Sequence, residues 1–289
     1  MNIVYLNDEY LPLEQARVPV LDRGFLFADG VYEVIPVYGG RLFRFDEHLA
    51  RLDSSLAGIR LANPLTHAQW RAVLQRLVEM NGGGEQSVYL QVTRGAGAVR
   101  EHLFPLNCPP TVFAMSMPLK PPKPGLLEKG MRAITLDDIR WQYCHLKTVA
   151  LLPNVLMHQI ARDRQADEAI LIRNGYAMEC TASNFFIVKE SVVSTPPKSD
   201  YLLPGITRDL VLELAGRYGV AHDERDIHLG ELAVADEIWI TSSNKEIAPV
   251  TSLNDKPVGD GRPGPLWRKM YEHYQAYKSE LIMGNLEHE

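Results

Sequence analysis

Four short segments of the chain combine residue types and spacings that could do chemistry. In Asp138-Ile139-Arg140-Trp141 through Leu146-Lys147-Thr148, a lysine stands between a strand and the start of a helix. A lysine amine condenses with an aldehyde, exchanges that bond for another amine and, when neutral, carries a proton; partial burial favours the neutral form. The second segment, Met178-Glu179-Cys180-Thr181-Ala182-Ser183-Asn184, offers a carboxylate and a hydroxyl just after an Asn174-Gly175 turn. The third, Leu203-Pro204-Gly205-Ile206-Thr207, is a glycine turn opening a helix, where amides and the helix dipole attract an anion. The fourth, Ile240-Thr241-Ser242-Ser243, puts short hydroxyl donors at a strand end. Arg51, in Glu47-His48-x-x-Arg51-Leu52, adds a planar fork able to bind two phosphate oxygens. Each feature alone has an ordinary reading: a solvated lysine, a solvent-facing strand glutamate, a capped turn, an exposed helix arginine.

The elements that must position these groups are legible in outline. Ile3–Tyr5 and Tyr10–Leu13 flank Asn7-Asp8, and Val31–Tyr38 and Arg41–Phe45 flank Gly39-Gly40, both with hairpin character. Asp46 is expected to cap a helix bearing Leu49, Leu52, Leu56 and Ile59 on one face, and Thr66-x-x-Gln69 resembles a capping box before a second helix. Strands Ser87–Thr93 and Thr111–Met117 complete an antiparallel α+β half. Pro118 to Pro124 holds four prolines in seven residues and reads as an extended connector. The expected division is therefore 1–117, a proline-rich linker 118–124, and 125–289. The last part predicts strands near 131–135, 169–172, 177–178, 184–188 and 237–241. Its helices are expected near 149–164, 207–218 and 265–281.

In order and spacing the four segments together resemble the fold-type IV pyridoxal-phosphate enzymes: branched-chain aminotransferases, D-amino acid aminotransferases and aminodeoxychorismate lyases. The resemblance runs from about Tyr5 to about residue 275. It implies a two-domain α/β (α+β) enzyme with pyridoxal 5'-phosphate at the domain interface and an amino-transfer reaction of the ping-pong, Schiff-base kind. On this resemblance Lys147 is the imine lysine and Glu179 the partner of the pyridine nitrogen. Ser183, Ile206, Thr207, Ser242, Ser243 and Arg51 complete the cofactor set, the last five on the phosphate.

Within the family, Tyr89-Leu90-Gln91-Val92-Thr93-Arg94-Gly95 followed by Arg100-Glu101-His102 is similar to the D-amino acid aminotransferases, which trap the substrate carboxylate with an arginine, a histidine and a tyrosine. The matching tyrosine is Tyr32 in Phe27-Ala28-Asp29-Gly30-Val31-Tyr32-Glu33. The expected substrates are D-alanine or D-glutamate with 2-oxoglutarate or pyruvate. A branched-chain L-amino acid aminotransferase and a lyase of the aminodeoxychorismate type are the alternatives. The chain departs from the group at Pro36, where a lysine is usual, in a longer loop Ala96–Val99, and in Cys180 at a glycine-like position.

Composition sets the outer limits. The chain has 289 residues, 46% of them hydrophobic and 23% charged, which is ordinary globular usage. A net charge of −6 argues against a general nucleic-acid binder. No apolar run has membrane-spanning length, and MNIVYLNDEY lacks a basic-then-apolar signal pattern. Cys108, Cys144 and Cys180 read as reduced thiols of a cytoplasmic protein, and the nine histidines, among them His48, His145 and His158, show no metal-ligand spacing. A homodimer is expected from the resemblance.

Overall fold

The structure, a computed structural model, describes residues 2–119 and 125–284. Residues 120–124 of the expected proline-rich connector lie outside it. The chain forms two compact units: Met1–Lys120 with Leu146–Ala150 and Lys278–Glu289, and Pro121–His145 with Leu151–Tyr277.

In the first unit the elements run β1 (Ile3–Leu6), β2 (Glu9–Pro12), α1 (Arg23–Phe27), β3 (Gly30–Tyr38), β4 (Arg41–Leu42), α2 (Phe45–Gly58), α3 (His67–Met80), β5 (Gln86–Thr93) and β6 (Thr111–Pro118). The strands make one six-stranded antiparallel sheet in the order β2-β1-β6-β5-β3-β4. Alternation along β3 sends Val31, Glu33, Ile35 and Val37 to one face, and α2 packs against this strand. Leu49, Leu52 and Leu56 of α2, with Trp70, Leu74 and Leu77 of α3, close the core on that face. Thr66 and Gln69 form the expected capping box. Asp46 is not the cap of α2. Phe45 is drawn into the core and starts the helix two residues earlier, so Arg44 caps it at φ 52° and Asp46 becomes a first-turn residue, where a negative charge still suits the helix end. The expected strand Arg41–Phe45 shrinks accordingly to β4.

The second unit contains α4 (Leu126–Lys129), β7 (Met131–Asp137), α5 (Leu152–Asp163), β8 (Glu168–Arg173), β9 (Tyr176–Cys180), β10 (Asn184–Lys189), β11 (Val192–Thr195), α6 (Ile206–Arg217), β12 (His222–Glu224), β13 (Ile227–His228), α7 (Leu229–Leu232), β14 (Glu237–Ser242), β15 (Glu246–Leu253), β16 (Lys256–Pro257) and most of α8 (Pro265–Met283). Its strands form a mixed ten-stranded sheet, β12-β11-β10-β14-β15-β7-β8-β9-β13 with β16 on β15. The helix expected from Val149 starts at Leu152. Two features delay it: the Lys147–Val149 backbone is held against β3 by hydrogen bonds and the Val31–Thr148 bridge, and Pro153, which has no amide hydrogen to donate, sits in the first turn.

Candidate active site

Lys147 belongs to the first unit, although the sequence places it after the connector. The Tyr32 amide donates to the Lys147 carbonyl at 2.9 Å and the Val149 amide to Gly30 at 3.0 Å, so the lysine segment lies along β3. The Lys147 amide donates to Ser55 Oγ of α2 at 3.1 Å. Leu146 packs so closely on α2 that a Cβ at Gly58 would come within 2.4 Å of it. These contacts put the half-buried Lys147 Nζ 4.4 Å from the centre of the Tyr32 ring, which stacks on Tyr89 at 5.6 Å. Two residues expected to act on one substrate are thereby adjacent.

On the opposite face of β3, Glu33 is fully buried and accepts from Arg51 Nε at 2.7 Å, Arg51 Nη2 at 2.8 Å and His48 Nδ1 at 2.7 Å. Burial pushes the Glu33 carboxyl up, but the Arg51 guanidinium and the His48 ring outweigh it and hold the group well below the usual carboxylate range. Burial lowers His48, against the pull of Glu33. Arg51 therefore has one edge fixed by a buried carboxylate. Sequence reasoning missed Glu33 and Ser55. Glu33 ends the Phe27–Glu33 segment already singled out, and Ser55 stands three residues from Leu52 on the apolar face of α2; these were the available signals.

In the second unit Glu179 is buried on β9. Arg140 Nη1 donates to its Oε1, while the Leu203 amide at 3.1 Å and Asn184 Nδ2 at 3.3 Å donate to Oε2. The second and third segments thus meet. Arg140 is shared: Asp138 accepts from its Nε at 2.9 Å and Nη2 at 3.0 Å, and Arg173 also pairs with Asp138. Burial is the largest influence on Glu179 and pushes its carboxyl up; Arg140 and the Leu203 amide oppose it. Burial likewise opposes the charge on Arg140, which Glu179 and Asp138 more than offset.

The anion-binding features lie beside this carboxylate. Gly205 is the N-cap of α6 with no side-chain cap, and a Cβ there would lie 1.9 Å from Asn184 Oδ1, so glycine is required for this approach. Ile206 and Thr207 open the helix and are buried. α6 packs on β14, whose Thr241 pairs with Asn184 across the ladder and carries a buried hydroxyl with no hydrogen-bond partner among the described residues. Ser242 and Ser243 follow at the strand end, half-buried, and Ser242 Oγ accepts from the Lys245 amide. Lys245 Nζ in turn donates to buried Glu168 at 2.9 Å. Ser183 also donates to Glu168 at 2.9 Å, so its hydroxyl is engaged within this cluster. Burial pushes Glu168 up, but His158, Lys245 and Thr181 hold it below the usual range.

Arg100 and His102 stand on the exposed loop after Gly95. Arg100 Cζ is 5.0 Å and the His102 ring 5.4 Å from the Phe27 ring, so these two expected carboxylate ligands share one neighbour.

A family model, amino-transferase class IV, matches residues 30–253. The chain is 40% identical over 267 residues to a D-alanine aminotransferase of Bacillus licheniformis, covering 92% of this chain and 94% of that one. It is 35% identical to a D-alanine aminotransferase of Staphylococcus aureus (strain COL), covering 96% and 98%. In structure it is similar to the branched-chain amino acid aminotransferase of Escherichia coli (TM-score 0.88, 25% identity, 95% and 94% covered). It is also similar to that of T.th. with pyridoxamine 5'-phosphate (TM-score 0.89, 26% identity, 98% and 94% covered). The chain belongs to the class IV aminotransferase family. It is a pyridoxal-phosphate-dependent aminotransferase of fold type IV, and its residues fit that cofactor: a buried carboxylate beside a side-chain-free helix N-terminus, and a Thr241 hydroxyl, without a partner among the described residues, next to two serines. Among the described residues no helix is long and apolar enough to cross a membrane.

Proposed function

We propose that this enzyme moves amino groups between D-amino acids, of the D-alanine and D-glutamate type, and 2-oxo acids such as 2-oxoglutarate or pyruvate. The observation that carries the reading is the fixed pairing of the Lys147 amine with Tyr32, together with 40% identity to a D-alanine aminotransferase over nearly the whole chain. The bound cofactor supplies an electrophilic carbon for the incoming amine and a sink for the electrons of the α-carbon.

The chain's own residues do the rest. Lys147 Nζ removes the α-proton and returns it, from a half-buried position beside Tyr32. Glu179 keeps the proton on the pyridine nitrogen; a buried carboxylate opposite a cation acts strongly there. Arg51, the α6 amides at Ile206 and Thr207, and the hydroxyls of Ser242 and Ser243 hold the phosphate. Ser183 acts through Glu168 and Lys245 on the turn that bears Ser242 and Ser243. Tyr32, Arg100 and His102 hold the substrate carboxylate and so decide which enantiomer presents its α-hydrogen to Lys147. The enzyme works as a cytoplasmic homodimer, the Arg100–His102 loop serving the neighbouring subunit. The test is a panel of D- and L-amino acids with 2-oxoglutarate as acceptor. D-alanine and D-glutamate are expected to be the best donors; a strong preference for L-leucine would replace this reading with the branched-chain one.

A further inference from the structure

Arg23 has no place in the machinery above, yet it is nine-tenths buried at the first position of α1 and makes three hydrogen bonds to one loop. Its Nη1 donates to the carbonyls of Glu101 at 2.7 Å and Leu103 at 3.3 Å, and its Nη2 to that of His102 at 3.3 Å. Three consecutive carbonyls are therefore gathered by one guanidinium. Its Nε donates to Asp29 at 2.7 Å, and Asp29 accepts as well from Arg94 Nε at 2.8 Å and Nη2 at 3.0 Å. Arg94 holds the same loop at a second point, with its guanidinium carbon 3.6 Å from the centre of the Phe104 ring. The loop's side chains are otherwise exposed: Leu103 is 76% and Leu106 92% accessible. With so little apolar burial against its own chain, these polar ties are what each subunit contributes to the order of residues 100–104.

We propose that Arg23 is a positioning residue for substrate recognition: it clamps the backbone of residues 101–103 and thereby sets the places of Arg100 and His102. The proposal rests on the reading of those two as carboxylate ligands. A planar fork with donors along two edges can reach successive carbonyls while its third edge keeps Asp29; a lysine ammonium is a single point and cannot do both. The loop is thus pre-ordered before substrate arrives, so the ordering cost is not charged to binding.

Arg23→Lys tests this, because it keeps the charge beside Asp29 and loses the fork. The KM for D-alanine is expected to rise about tenfold or more, the loss of a charged hydrogen bond expressed in binding, with kcat much less affected and the cofactor dissociation constant unchanged. Trypsin cleavage after Arg100, followed by mass spectrometry, gives a readout independent of activity: it is expected to accelerate in Arg23→Lys while the Tm stays close to wild type. Should Arg23→Lys not fold, Phe104→Ala releases the second tie and is expected to change both readouts in the same direction. Arg100→Ala is measured alongside. A KM raised by Arg100→Ala but untouched in the clamp variants, with cleavage also unchanged, overturns the clamp alone. A KM unmoved by Arg100→Ala overturns the carboxylate reading and the proposal built on it.

Discussion

Glu33 in the first unit and Glu179 in the second are both buried carboxylates facing an arginine, yet their environments push them in opposite directions. Glu33 receives two N–H groups from Arg51 and one from His48, so its charge is fully answered inside the protein. Glu179 also accepts three N–H groups, but only one comes from a cation: Arg140, whose charge is divided with Asp138, while the Leu203 amide and Asn184 Nδ2 are neutral and Asp138 adds its own repulsion. Burial then prevails at Glu179 and not at Glu33. The difference separates scaffold from chemistry: a satisfied pair fixes its arginine in place, whereas an incompletely answered carboxylate has affinity left for a further cation, such as a protonated pyridine nitrogen.

This contrast can be broken by mutation. Glu33→Gln is expected to have the largest effect on stability, about 3–5 kcal/mol in denaturant unfolding at neutral pH, because it leaves Arg51 buried without its counter-charge. The sign with pH follows from the depressed carboxyl: its stabilisation is full above the ordinary carboxylate pKa, about 4.3, and is lost as the pH falls toward the lower folded-state value. The gap between wild type and Glu33→Gln should therefore narrow on acidification below that value. A gap that widens there would show that Glu33 is not held as an ion.

Glu179→Gln should sharpen the contrast from the other side. The raised carboxyl contributes no stabilisation as an ion at neutral pH, so the cofactor-free variant is expected to unfold at nearly the wild-type denaturant midpoint. Its half-reaction with D-alanine should slow about ten- to hundredfold, matching roughly 1.5–3 kcal/mol for one charged hydrogen bond lost at the transition state. An unchanged half-reaction rate would remove Glu179 from the chemistry.

Local signals in the sequence were enough for the elements that carry the site. The Thr66-x-x-Gln69 box, the Gly205 helix start and the apolar face of α2 each depend on residues within one or two turns, and all appear as expected except that Ile59 stands just past the end of α2. The partnerships were less legible. Arg51 with Glu33 spans 18 residues, Arg140 with Glu179 spans 39, and Arg23 with the Glu101 carbonyl spans 78. Periodicity tells which face a residue occupies but not which distant residue meets it there. The allegiance of Lys147 was hidden for the same reason: a short irregular segment held to β3 by one bridge and two hydrogen bonds leaves no periodic trace of its neighbour. The resemblance to a known family pointed to Lys147 as the imine lysine and Glu179 as the partner of the pyridine nitrogen, but gave no indication of the groups that hold them.

The central claim is that Lys147 carries the cofactor in an enzyme of this family. Borohydride reduction of the holoenzyme, followed by proteolysis and mass spectrometry, tests it most directly. A single modified peptide is expected, with the phosphopyridoxyl mass on Lys147, and Lys147→Ala should retain cofactor through its phosphate while losing the covalent label and overall turnover. Label on Lys245 or any other lysine of the wild type, or turnover near the wild-type rate in Lys147→Ala, would contradict the account.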